Sequence, residues 1–297
     1  MRKVLSTLVA VVVAVVLAVV AEAAGYAPYK LVGKVSGAVP DLASQVEAAL
    51  GAAGFQVVGS YSPGDKPDNQ MVVICTHPNV LQAIAAVGDN TGFAAGLRVG
   101  LWKNEAGEVE ISYENPEYIH RAYFGKKHIA QLSAMVTKKL AGALATVAGG
   151  DLDQGFGGDL DEDKLAKYNY MVGMQKFDDP VEAGKFGSFQ EAVSTIDANL
   201  AAGKGGCKLI YKIEIPGKNV VDYGVAMDHE GHYLEIIGEQ HIAAQPYGLL
   251  VVDNVAYTLH GRYRIALHWP ELTMATFTKI MTTPGNIAKS MKDVCEK

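Results

Sequence analysis

The chain has 297 residues, 26 basic against 32 acidic, and a mean hydropathy of +0.11. A net charge of −6 argues against nucleic acid, which is bound by a strongly basic face. None of the three cysteines, Cys75, Cys207 and Cys295, stands in a CxxC spacing, which excludes a zinc ribbon or a thioredoxin-type redox motif.

Residues 1–23 have the pattern of a secretory signal peptide. Arg2 and Lys3 form a basic start, Leu8 to Val20 is an unbroken apolar run, and Ala21-Glu22-Ala23 supplies the small-x-small cleavage pattern. The stretch from Leu5 to Val20 holds 16 residues, short of the roughly 20 that span a bilayer. The expectation is cleavage after Ala23 and a periplasmic or secreted protein with no membrane span after cleavage. Loss of Arg2, Lys3 and Glu22 leaves 24 basic and 31 acidic residues, a net of −7. In an oxidising compartment a Cys207–Cys295 bridge is one pairing open to the chain, whereas Cys75, inside MVVICTH, reads as a buried thiol.

The mature chain repeats itself. GEVEISYENPEY (107–118) aligns with GRYRIALHWPEL (261–272) without a gap, since Gly107–Gly261 and Pro116–Pro270 are both 154 residues apart. GFQVVGSYSPG (54–64) parallels GCKLIYKIEIPG (206–217), and YKLVG (29–33) echoes YMVG (170–173). Leu42, Val46, Ala49 and Leu50 stand at helical spacing, as do Phe189, Val193, Ile196 and Leu200. The second of these helices opens with a Ser188–Glu191 capping box. Strands near 71–75 and 221–227 precede helices near 79–87 and 233–243. Each half then continues into a hairpin and a closing helix that starts at Pro116 or Pro270. The Gly-rich, acidic run AGGDLDQGFGGDLDEDK separates the halves. The predicted organisation is a first repeat at 24–147, a linker at 148–166 and a second repeat at 167–297, each reading β-α-β-β-α-β-β-α. The fold class is α+β: two tandem repeats, each an antiparallel sheet with helices on one face, packed as a pseudo-dimer.

The run VLQAIAAVGDNTGFAAGLRVGLWKNEAGEVEISYENPE places a helix before a short Gly or acidic turn, then a hydrophobic hairpin closing on a polar-Pro-Glu segment. In this it resembles the family called domain of unknown function 302. The likeness covers about residues 26–125 and, through the repeat, about 165–285 more loosely. It implies a compact α+β fold and brings no catalytic residues with it. In the same alignment Arg98 and Trp102 fall opposite Val252 and Ala256, so the halves differ chemically.

The candidate site begins with HGRYRIALHWPEL (260–272). Read as a strand, it sets His260, Arg262, Arg264 and His268 on one face, because side chains alternate with period 2. Such a row suits a carboxylate or other oxyanion through bidentate Arg hydrogen bonds, with His241 nearby. Its first-half counterparts in that alignment, Glu108, Glu110 and Glu114, equally suit an ion-pair seam between the halves. Asp228, His229 and His232, within DHEGH, are the densest set of ligands for a divalent metal, although the spacing is not HExxH. The acidic linker matches a calcium loop poorly, with Phe156 where the turn demands Gly. Tyr118, His120, Tyr123 and His128 cluster at one helix start; Tyr and His can both ligate haem iron, but such residues more often sit at a helix–sheet margin with the polar tip in water. No GxSxG elbow, Walker loop or strand-borne GxGxxG is present. The functional expectation is a noncatalytic binder of a small anionic ligand or a metal ion, using the groove between the repeats. The alternatives are an enzyme on a small anionic substrate, with His232, His241, His260 or His268 as acid–base, and an assembly module without a small-molecule site.

Overall fold

The computed structural model describes residues 25–297; the signal-peptide reading of 1–23 lies outside them. The first repeat comprises β1 (Tyr29–Val35), α1 (Val39–Ala52), β2 (Gln56–Tyr61), β3 (Gln70–Thr76), α2 (Pro78–Val87), β4 (Leu97–Lys103), β5 (Val109–Glu114), α3 (Pro116–Phe124) and α4 (Ala130–Ala148). β6 (Gln154–Phe156) and α5 (Glu162–Leu165) lead to the second repeat. This contains β7 (Val181–Lys185), α6 (Phe189–Ala201), β8 (Cys207–Glu214), β9 (Val220–Met227), α7 (Glu230–Ile237), β10 (Tyr247–Val252) and β11 (Val255–Thr258). It ends with α8 (Gly261–His268), α9 (Met274–Phe277) and α10 (Thr283–Cys295).

The two sheets share one strand order. The first runs β2-β3-β4-β5-β1, extended by β6, and the second β8-β9-β10-β11-β7, with all these pairings antiparallel. Even the irregularities recur: Val58 in β2 and Ile210 in β8 are bulged, as are Val32 in β1 and Ala183 in β7. Helices α1 and α4 cover one face of the first sheet, and α6 and α10 one face of the second. Leu42, Val46 and Leu50 of α1, and Ile196 and Leu200 of α6, bury the stripe that their spacing foretells. Ser188 caps α6 by accepting from the Glu191 amide at 3.1 Å, and the Glu191 carboxylate accepts from the Gly187 amide at 2.7 Å.

The opposite faces meet. Between α2 and β4, and again between α7 and β10, lies a 3-10 turn, Asp89–Ala94 and Glu239–Ala244, and each packs on the central strand of the other repeat. The contact is swapped in size. A Cβ on Gly92 would lie 2.4 Å from Leu250 Cδ1, and one on Gly100 2.7 Å from Ile242 Cγ2. Gly92 and Ile242 hold equivalent places in the two turns, as do Gly100 and Leu250 in β4 and β10. Each large side chain thus fills the space opposite a glycine, and one core cluster runs across the junction.

Several expectations are corrected. Residues 261–268 form helix α8, not a strand: the His260 ring accepts from the Arg262 amide at 3.3 Å, as Asn115 accepts from the Glu117 amide at 3.1 Å at the start of α3. Of the α8 residues only Arg262 is exposed, so the segment carries no amphipathic stripe, and the Arg/His alternation reads as a strand by accident. The equivalent of Pro116 is accordingly Gly261 rather than Pro270, and the closing helix of the second half starts at Thr283. The second hairpin turns at Asp253-Asn254, which join Val252 to its partner Val255. The first strand of the second half is Val181–Lys185; residues 170–173 lie in a turn, with Val172 almost fully exposed. The linker is more than a spacer, since Gln154–Phe156 pairs with β1.

Candidate functional site

The junction of the repeats encloses a buried polar cluster. Arg98, on β4, reaches Glu114 Oε2 of β5 at 2.9 Å and the Tyr211 hydroxyl of β8 at 3.3 Å. Tyr211 in turn donates to Asp222 Oδ2 of β9 at 2.9 Å. His268 Nδ1 stands 3.4 Å from Glu114 Oε1 and 3.4 Å from the Tyr29 hydroxyl. Arg264 donates to the carbonyls of Ala244 and Pro246 and lies over the Tyr247 ring at 3.9 Å. All these ionisable side chains are less than 5 % exposed. Burial holds the His268 imidazole well below its ordinary range, with Arg264 and Arg98 adding to the effect, so the ring is neutral. Burial pushes Asp222 up to about 7 against the pull of Arg98. The orphan carbonyls at the end of α8 are also met: Tyr118 of the first repeat donates across the junction to Leu267 O at 2.6 Å, and Tyr168, just after α5, donates to Ala266 O at 2.9 Å.

An open groove of about 550 Å³ lies between the repeats at the end of β2. Ser60, Tyr61 and Ser62, with the turn that carries Asp65, form one wall; Lys208, Asp228 and Glu230 stand on the other. Glu230 is 3 % exposed and opens α7. Its Oε2 accepts from the Tyr61 hydroxyl and from the Met227 amide, each at 3.4 Å. Burial pushes this carboxyl up to about 8, opposed by those two hydrogen bonds. The walls are drawn together at Gly64, where a Cβ would lie 3.0 Å from Gly231 Cα, and by Lys66, whose Nζ is 2.5 Å from Glu235 Oε1 and 3.5 Å from Glu239 Oε1.

The structure scatters the residues expected on one stripe. Arg264 and His268 belong to the buried cluster. His260 caps α8 and Arg262 is exposed, so the four do not form a face open to an anion. His241 is buried in the 3-10 turn; its Nδ1 lies 3.1 Å from Ile237 O and 3.2 Å from Gly238 O, which fixes the proton on that nitrogen. Its Nε2 is 3.7 Å from Glu271 Oε1, and burial lowers the ring to about 4. Of the metal set, Asp228 and His232 are exposed and His229 is half-buried at the capping position of α7. Among the described residues no group of three or more His, Cys, Asp or Glu side chains is placed to hold a metal ion. Glu108 and Glu110 stay near the surface, and Glu110 pairs with Lys34 at 2.7 Å. His120 and His128 both meet the Ser133 hydroxyl, at 3.1 and 2.8 Å, inside the first repeat. Cys75, Cys207 and Cys295 are free and buried.

Sequence reasoning missed Tyr61, Lys208 and Asp65, and it missed Arg98 and Asp222 as partners across the junction. A signal existed for the last two, since each is a charge inside an otherwise apolar strand, LRVGL and VVDYGVAM. No family model and no curated protein matches the chain. The fold is similar to the crystal structure of an uncharacterized conserved protein DUF302 from Bacillus stearothermophilus. The identity is 16%, over 41% of this chain and 98% of that one, with a TM-score of 0.34.

Proposed function

We propose that the protein is a noncatalytic binder of a small ligand, held in the groove between its two repeats. The observation that carries this reading is the Tyr61–Glu230 contact: a phenol of one repeat and a buried carboxyl of the other meet at the wall of an open groove of about 550 Å³. That volume falls within the few hundred Å³ usual for small-molecule sites. The buried Glu230 carboxyl is held by hydrogen bonds of 3.4 Å from Tyr61 and from the Met227 amide, and a ligand with hydrogen-bonding groups offers it a closer partner. The polar lining, with Asp65, Asp228 and Lys208 of both signs, suits a small zwitterion or hydroxylated molecule better than the simple anion expected from an Arg stripe. The equivalent positions of the two repeats differ at this groove: β8 carries the lining residue Lys208 where β2 carries Gln56. The acid–base enzyme reading lacks a comparable support. His268 and Glu114 are sealed in the interior, and His241 stands 3.7 Å from its nearest carboxylate oxygen.

A thermal-shift screen of zwitterions and polyols on the purified protein tests the proposal. At a ligand concentration 100 times its Kd, stabilisation is about 2.7 kcal/mol, well within detection. The shift should shrink in Asp65→Asn and Lys208→Gln, whose side chains are exposed and leave the fold alone. Shifts that these variants leave unchanged would remove the groove from consideration.

A further inference from the structure

We propose that a second cleft, beside the end of α3, is a binding site for a small planar organic anion. The cleft measures about 580 Å³ and shares no lining residue with the groove between the repeats. Its walls come from three separate stretches of chain, at 122–127, 166–168 and 176–178, with Val87 and residues 89–91 opposite.

The floor is aromatic. The Phe177 ring stacks on Tyr123, with centroids 4.9 Å apart and planes at 17°, and meets Phe93 edge-on at 6.5 Å. Tyr123 and Phe93 are buried, and Phe177, whose ring also meets Tyr263 at 6.4 Å, is half-buried, so its exposed edge lines the cleft. A flat apolar body packs favourably against such an edge.

The rim is basic. Lys126, Lys127, Lys167 and Lys176 surround the floor, against Asp89 and Asp178. Lys127 is taken up by Asp89 at 2.9 Å. Among the described residues Lys126, Lys167 and Lys176 make no ion pair, which leaves three ammonium groups facing one carboxylate, Asp178. No arginine lines the cleft, so no planar fork selects carboxylate geometry. Ammonium groups act as point charges, and the site should accept carboxylate, sulfonate or phosphate alike on an aromatic body. A chain of net charge −6 that gathers three unpaired lysines around a partly exposed aromatic ring draws anions to that spot against its own overall field.

Isothermal titration with 2-naphthoate and with its uncharged analogue 2-naphthylmethanol tests this. The expected result is one naphthoate per chain, bound about tenfold tighter than the alcohol at low ionic strength, with the advantage fading in 0.5 M salt as the charges are screened (about threefold or less). The triple variant Lys126→Gln, Lys167→Gln, Lys176→Gln, altered only at exposed positions, should bind naphthoate no better than the alcohol. Phe177→Ser should weaken both probes. Asp65→Asn, in the other groove, should change neither, so that failure here stays distinct from failure of the function proposed above. Equal affinity for the two probes, an unaltered naphthoate affinity in the triple-lysine variant, or no binding of naphthoate at millimolar concentration would each overturn the assignment.

Discussion

The swapped glycine contacts at the junction predict a measurable coupling between residues 142 positions apart. Gly100 lies in β4, where its backbone is extended and open to any residue, so Gly100→Ala introduces no left-handed strain. The added methyl would nevertheless sit 2.7 Å from Ile242 Cγ2 and 3.2 Å from the Ala243 nitrogen, closer than carbon atoms pack. Overpacking of this kind costs about 1–3 kcal/mol. Ile242→Ala alone removes a fully buried side chain and leaves a void, at about 2–5 kcal/mol. In the double variant the new methyl no longer meets Cγ2 and occupies part of the void. Its loss of stability should therefore fall short of the sum of the single losses by at least about 1 kcal/mol. Equilibrium unfolding in urea of the four proteins measures this. Losses that add within about 0.5 kcal/mol would refute the interlocked junction, since independent sites behave that way.

The remaining predictions concern buried titratable groups. Glu230 has a carboxyl raised to about 8 in the fold, above its ordinary 4.5, so the folded state holds a proton that the unfolded chain releases between those values. Stability from this group is present at low pH and is lost as pH rises through that window. Glu230→Gln should therefore leave the melting temperature near pH 5 little changed and raise it at pH 9; equal effects at both pH values would contradict the assignment. His120 and His241 are lowered to about 3 and about 4, so the unfolded chain takes up protons first as pH falls below 6.5. Urea midpoints should drop between pH 6.5 and 4, and His241→Gln should reduce the slope; an unchanged slope would show that the ring is not held neutral. Burial pushes Cys207 and Cys295 each up to about 12, and Cys75 further still. A thiol reagent at pH 8 should find none of the three in the native protein and all three in denaturant; one thiol in denaturant would instead reveal a disulfide.

Much of the architecture was legible in the sequence. Continuous apolar runs such as MVVICT and LLVV, which mark strands buried on both faces, the helical stripes of α1 and α6, and the recurrence of both across the chain identify two α+β repeats. Alignment within the repeat failed at GRYRIALHWPEL for a physical reason. A short helix buried nearly all round has no polar face to betray its period, and matching Pro116 to Pro270 then displaced the start of the equivalent helix by nine residues. The site was less legible still. Arg264 and His268 invite a reading as ligand groups, yet both are spent on carbonyls, rings and a carboxylate of the other repeat. Tyr61 and Glu230 are 169 residues apart and meet only through the pseudo-dimer, so no local pattern links them.

Native mass spectrometry of the protein, purified from the cells that make it and kept at low ionic strength, tests the central claim most directly. One small molecule should accompany the intact chain, remain in the triple-lysine variant and be lost from the Tyr61→Phe, Lys208→Gln variant. A bare protein mass, or a companion molecule that survives the groove substitutions, would contradict a ligand held between the repeats.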